Sequence, residues 1–124
     1  RDECIDLLGY DQDYHAWIIE LKVSTNNENL ETSVISQVER YATAFEKVKN
    51  GIEKEVKKRL LWPHFKFMGN TYKMILSDRD FYHKRDLPQL IPDKLFLCSY
   101  SDIHNERNLV NYPRDIVSLS IWRN

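Results

Sequence analysis

Trp17-Ile18-Ile19-Glu20-Leu21-Lys22 is an apolar run broken by two charges. Along a strand, successive side chains alternate between faces. Ile18, Glu20 and Lys22 therefore share one face, and Trp17, Ile19 and Leu21 the other. Both faces carry large apolar groups, which predicts a central strand covered on both sides. Glu20 and Lys22 then lie side by side where a charge is costly unless it is paired, hydrogen-bonded or bound to a metal. That conflict marks the stretch as a candidate site.

Upstream, Cys4 to Leu8 alternates weakly and reads as a strand with Cys4, Asp6 and Leu8 on one face. Gly9 to His15 is turn-rich, so the two strands are expected to form an antiparallel hairpin. A register in which paired positions sum to about 26 puts Asp6 opposite Glu20, with their β-carbons roughly 5 Å apart. Two carboxylates that close repel unless a proton or cation lies between them. A slip of one residue would send Asp6 to the other face.

Downstream, Ser24 to Asn29 is a polar loop, and a helix is expected to start between Asn29 and Ser33. Val34, Val38, Tyr41, Phe45 and Val48 follow helical spacing and form its predicted buried stripe. Gln37, one turn before Tyr41, lies at the stripe's edge with its amide toward the sheet. Asn50-Gly51 is read as the end of this helix. A second, basic helix is expected from Ile52 to about Leu60, stopped by Pro63.

Thr71 to Ser77 reads as a third strand with Lys73 facing solvent, Asp80 to Leu87 as a short helix, and Lys94 to Tyr100 as a buried strand. The strand–helix–strand succession implies parallel crossovers. Ser101 to Pro113 is the longest loop, and Ile116 to Trp122 is an edge strand or a docking tail. The expected fold class is α/β, a mixed central sheet flanked by helices. It forms a single domain over 1–124, with a core at 3–100 and a loop and C-terminal strand or tail at 101–124.

Apolar content of 42% and charged content of 30% are ordinary for a soluble globular domain of 124 residues. No stretch approaches the roughly 18 consecutive apolar residues of a membrane span, so no membrane partner is expected. Cys4 and Cys98 are too few for a disulfide framework, which suits reduced thiols in the cytoplasm. The net charge of −1 hides a segregation. Residues 1–45 hold three Lys/Arg against nine Asp/Glu, whereas 46–66 hold seven against three. An acidic pole beside a basic patch suits a metal site next to a polyanion track. His15, His64, His83 and His104 lack zinc-ligand spacing. No GxGxxG or P-loop occurs, and no nucleophile elbow supports Ser-His-Asp chemistry.

Asp6, a spacer, Glu20-Leu21-Lys22 and then Gln37-Val38-Glu39-Arg40-Tyr41 form an order that resembles the PD-(D/E)xK superfamily, the restriction-endonuclease-like nucleases. The likeness covers residues 3 to about 48, with Gln37 and Tyr41 matching a QxxxY motif. Ile5 stands where the family name has Pro. The family core also begins with a helix, often bearing a further Glu, and a first strand, and neither has a counterpart here. The chain opens on Arg1 rather than Met, so these parts either lie outside this sequence or the core is incomplete.

The resemblance implies that Asp6 and Glu20 ligate Mg²⁺ or Mn²⁺, with the Leu21 backbone carbonyl as a third ligand. Lys22 would orient or help deprotonate the attacking water and stabilise charge on the phosphate. Gln37 would hold the site in shape, and Tyr41 would pack beneath it or touch substrate. The expected function is a metal-dependent nuclease acting on DNA, with RNA as substrate and a homodimer left open. Lys54, Lys57, Lys58 and Arg59 are candidate nucleic-acid contacts. The rival readings are a non-catalytic nucleic-acid or protein binding module that keeps the fold, and an assembly domain with a coincidental ExK. Retention of Asp6, Glu20 and Lys22 favours the nuclease, because a module freed from catalysis has no physical need of them.

Overall fold

The structure is a computed structural model and describes residues 5–23, 25–88, 90–99 and 120–123. Within these, β1 (Leu7–Tyr10) and β2 (Ala16–Leu21) form a hairpin. A π-helical turn (Leu30–Ile35) runs into a long helix, α1 (Ser36–Arg59). Then come β3 (Tyr72–Ser77), the short α2 (Arg79–His83), β4 (Leu95–Ser99) and β5 (Ser120–Arg123). The sheet order is β4-β3-β2-β1-β5. β2, β3 and β4 run parallel, while β1 is antiparallel to both β2 and β5. The molecule is thus a mixed α/β fold, with parallel crossovers through α1 and α2 as the strand–helix–strand order predicts.

The hairpin pairs Leu7 with Ile19 and Leu8 with Ile18, so paired positions sum to 26 as expected. The strand limits differ from the expected ones. Gly9 and Tyr10 belong to β1, Asp6 sits at a bend just before it, and Cys4 lies outside the described residues. The turn is built on Asp11, which is buried despite its charge. Its Oδ1 accepts from the Asp13 and His15 backbone N–H groups at 2.9 and 3.0 Å, and its Oδ2 accepts from Trp17 Nε1 at 2.9 Å. One carboxylate thereby closes the turn and satisfies the indole of the central strand. Tyr14 takes a positive φ of 64°, which turns the chain back toward β2.

β2 is buried on both faces. Ile18 packs with Leu8, Tyr41, Phe45, Phe65 and Phe67 on the α1 side. Trp17 and Ile19 pack with Leu7, Met74, Leu76 and Cys98 on the other. A third cluster joins Val34, Val38, Ile75, Phe81, Leu95 and Leu97 beside the first. Tyr82 Oη lies 2.7 Å from the Ile75 carbonyl and 2.9 Å from that of Cys98, locking α2 onto β3 and β4. Cys98 is fully buried. No helix among the described residues is long and apolar enough to cross a membrane.

Asn29 starts the helical segment, its side chain accepting from Thr32 N–H at 2.8 Å. Two expectations about this helix are corrected. Asn50-Gly51 does not end it: α1 continues for 24 residues to Arg59. Gly51 costs a helix about 1 kcal/mol relative to Ala. Beyond it, however, Ile52 and Val56 still reach the Phe45 cluster, and Glu53 accepts from Phe67 N–H at 2.8 Å. That continuing burial outweighs one glycine. Val48 is also not part of the stripe, since it is 54% exposed. The buried line passes from Phe45 to Ile52 instead.

Lys73 does not face solvent freely. Its ammonium meets both oxygens of Glu39 at 3.0 and 3.1 Å, tying α1 to β3. The short helix also begins and ends earlier than expected, with Asp78 as its N-cap accepting from Phe81 N–H at 2.9 Å. Of the C-terminal segment, Ser120–Arg123 forms an edge strand beside β1, and the loop expected at 101–113 lies outside the described residues.

Candidate active site

The site lies at the carboxyl end of β2, where the sheet changes from antiparallel pairing with β1 to parallel pairing with β3. Here the hairpin register brings Asp6 to the end of β2, and Asp6 Oδ2 accepts from Leu21 N–H at 3.0 Å. Glu20 pairs in register with Ile75 and is only 5% exposed. Lys22 follows one strand period later, its N–H donating to the Leu76 carbonyl and its own carbonyl accepting from Ser77 Oγ at 2.7 Å. Its ammonium lies 3.8 Å from Glu20 Oε1.

Burial pushes the Glu20 carboxyl up from 4.5 to about 8, and contact with the Asp6 carboxyl acts in the same direction, while Lys22 pulls the other way. Two ionised carboxylates have no proton to share, so the close approach of the two is a hydrogen bond only when a proton lies between them. Glu20 Oε2 is buried without a hydrogen-bond partner. An orphaned oxygen on a buried acid is an expensive arrangement for a fold to keep.

Gln37 and Tyr41 form a separate unit on α1. Gln37 Nε2 lies 2.7 Å from Tyr41 Oη, and Gln37 Oε1 is buried without a partner. Tyr41 itself is buried among Leu8, Ile18 and Phe45, so it packs beneath the sheet face that carries Glu20. Asp6, Glu20 and Lys22 are thus gathered, with the Gln37–Tyr41 pair on the helix packed against the same strand.

The basic residues Lys54, Lys57, Lys58 and Arg59 are not gathered with them. All four lie near the far end of α1, and at 1.5 Å per residue Lys57 is about 30 Å along the axis from Gln37. Arg59 pairs with Glu55 at 3.4 Å, and the last-turn cations complement the helix dipole. If this end nevertheless tracks a phosphate backbone, reversing two of the four charges should weaken DNA binding and lower its salt slope by about two. An unchanged slope in a salt titration would leave them as a solvated helix end.

Sequence reasoning missed Glu28. Its Oε1 lies 2.7 Å from Lys22 Nζ, closer than Glu20 does. Glu28 also accepts from Asn26 Nδ2 at 2.9 Å and Ser33 Oγ at 2.6 Å. The hydrogen bonds from Lys22, Ser33 and Asn26 hold its carboxyl down from 4.5 to about 2. An acid in an Asn-rich loop carries no periodic signal, and only folding brings it to Lys22.

The side chains of the acid pair offer oxygen ligands, which suit Mg²⁺ or Mn²⁺. No group of three or more His, Cys, Asp or Glu side chains converges among the described residues. Two carboxylates with water completing the shell fit a cation that dehydrates reluctantly. The orphaned Glu20 oxygen fits it equally. Comparison of the chain with protein-family models, with curated proteins and with solved structures gives no match.

Proposed function

We propose that the chain is a divalent-metal-dependent nuclease that hydrolyses phosphodiester bonds, with DNA as the favoured substrate and RNA as the alternative. The observation that carries this is the buried Glu20, with an unpartnered oxygen, set against Asp6 and beside the Lys22 ammonium. A purely structural ion pair would place its acid where the cation satisfies it. Here the cation's nearer partner is Glu28, and Glu20 is left with a need that a divalent ion meets. The ExK order, the upstream Asp6 and the QxxxY spacing support the same reading as a resemblance to restriction-endonuclease-like cores.

Asp6 and Glu20 would hold the ion, and the Leu21 carbonyl is the third ligand the resemblance suggests. A bound Mg²⁺ or Mn²⁺ supplies Lewis-acid polarisation of the scissile phosphate and lowers the pKa of the attacking water. Lys22 presents its ammonium to the negative charge that grows on the phosphoryl oxygens, fixed by a strand whose backbone is bonded to Leu76 and Ser77. Gln37 and Tyr41 hold α1 against the strand that carries the acids.

Titration calorimetry tests the ligand assignment. One Mg²⁺ or Mn²⁺ site is expected in the wild type and none in Asp6→Asn or Glu20→Gln. Because the ion requires ionised Glu20, binding below about pH 8 should release a proton, visible as a buffer-dependent heat. Unaltered binding in both variants would remove the assignment.

A further inference from the structure

Lys22 sits between two acids, and the one that touches it is outside the sequence motif. Glu28 Oε1 is 2.7 Å from the ammonium, against 3.8 Å for Glu20. Glu28 is itself oriented rather than loose. Ser33 Oγ donates to one oxygen and Asn26 Nδ2 to the other, and Glu28 N–H donates to Asn26 Oδ1 at 2.9 Å. Ser33 belongs to the π-helical turn, in which Val34 N–H reaches back five residues to the Asn29 carbonyl. That wide turn directly follows the loop that carries Glu28.

The loop is held from its other side by Arg85. The guanidinium donates to the Glu28 carbonyl at 3.1 Å, to the Asn26 carbonyl, and to the Phe81 carbonyl at 2.6 Å. It also stacks 3.9 Å over the Phe81 ring, and Phe81 is fully buried. A loop of three asparagines and a glutamate is therefore pinned to α2 through its backbone, leaving the Glu28 side chain to face Lys22. A flexible lysine carries rotamer entropy, and holding its head in one place before substrate arrives removes that cost from the reaction.

We infer that Glu28 is a positioning residue for Lys22 in the proposed hydrolysis, with Arg85 fixing the loop that presents it. The inference rests on the nuclease reading, since it assigns Glu28 a role in that site's chemistry. Glu28 does not touch the phosphate or hold the metal. It acts through the lysine head, and the strong depression of its carboxyl is consistent with a permanently ionised partner there. The contact also restrains Lys22 from closing fully on Glu20, which keeps that carboxylate available to a cation.

Glu28→Gln tests this with little change of shape, because its amide still accepts from Ser33 and the Arg85 contacts are to backbone carbonyls. In plasmid cleavage with saturating Mg²⁺, kcat should fall roughly tenfold to a hundredfold, the usual scale for a residue that orients a catalytic group. KM and the calorimetric Mg²⁺ affinity should stay close to the wild type. In the Lys22→Met background the same substitution should cost nothing further, since there is no ammonium left to position. Losses that multiply in the double variant would mean a merely structural role and overturn the inference.

A second readout is independent of cleavage. The Lys22 ammonium should give a slowly exchanging ¹H–¹⁵N signal in the wild type that is lost in Glu28→Gln, while the backbone amide signals of β2 stay in place. A signal unchanged in Glu28→Gln would show that the glutamate does not hold it. Cleavage by the wild type with no effect of Glu28→Gln defeats this inference alone, whereas a wild type that cleaves nothing defeats the nuclease reading beneath it.

Discussion

Glu20→Gln is expected to make the metal-free protein more stable at alkaline pH while abolishing its response to Mg²⁺. The folded-state carboxyl sits at about 8 and the unfolded one near 4.5, so the folded state binds the proton more tightly. The stability Glu20 contributes is then fully present below about 4.5 and is lost as pH rises through about 8. Above that, the fold carries an ionised, buried carboxylate beside Asp6, at a cost of a few kcal/mol. Glutamine keeps the shape and has nothing to ionise. Glu28 works in the opposite sense: its depressed carboxyl contributes stability above about 4.5 that is lost as pH falls through about 2.

Urea unfolding in the presence of a chelator should therefore show wild-type stability declining between about pH 5 and about pH 8, with a much flatter profile in Glu20→Gln. Saturating Mg²⁺ should restore the wild type at the upper end and leave the variant unmoved. A Glu20→Gln protein less stable than the wild type at about pH 8 would show that Glu20 is an ordinary ion-pair partner of Lys22. A stabilising substitution that destroys function is the signature of a site held against the fold's own preference.

Lys22→Met is the second large effect expected, and it separates catalysis from binding. Methionine keeps much of the apolar stem and removes the charge. Folding should survive, because the Lys22 backbone contacts to Leu76 and Ser77 remain and Glu28 is open enough for water to solvate it. Glu20 should become harder to ionise without the nearby ammonium, so the comparison belongs at saturating metal and mildly alkaline pH. There, cleavage should fall by roughly a hundredfold or more, the scale of losing one electrostatic contributor at the reacting phosphate. Metal binding should persist. If the domain were a binding module, there would be no cleavage to lose, and affinity for DNA would change by one weak phosphate contact. Equal cleavage by wild type and Lys22→Met would withdraw the catalytic role.

What the sequence reveals of this fold is what local pattern dictates. The alternation of Trp17 to Lys22 identifies the central strand and its two faces, and the hairpin register follows from keeping Leu8 and Ile18 on one side. Parallel crossovers follow from strand and helix order. The misread features depend on partners far along the chain. Gly51 is carried through α1 because Ile52, Val56 and Glu53 find partners on residues 65 to 67. Lys73 is drawn inward by Glu39 on the preceding helix. Of the site, Glu20 and Lys22 stand out because charges in an oily strand conflict with burial, and Asp6 because the hairpin register sets it toward Glu20. Glu28 does not, since a polar residue in a polar loop conflicts with nothing until Lys22 reaches it. Asp11, likewise, reads as a turn residue, and its bond to Trp17 shows only in the folded hairpin.

The central claim is that Asp6 and Glu20 together make a divalent-metal site for phosphodiester cleavage, and supercoiled-plasmid nicking tests it most directly. Wild type, Asp6→Asn and Glu20→Gln are purified side by side and assayed with Mg²⁺, with Mn²⁺ and with a chelator. The wild type should nick the plasmid with either ion and stop when the chelator is added. Both variants should be inactive under every condition while remaining folded, Glu20→Gln more firmly than the wild type at alkaline pH. Nicking that survives in Asp6→Asn and Glu20→Gln, or a folded wild type that leaves the plasmid intact with both ions, would contradict the account.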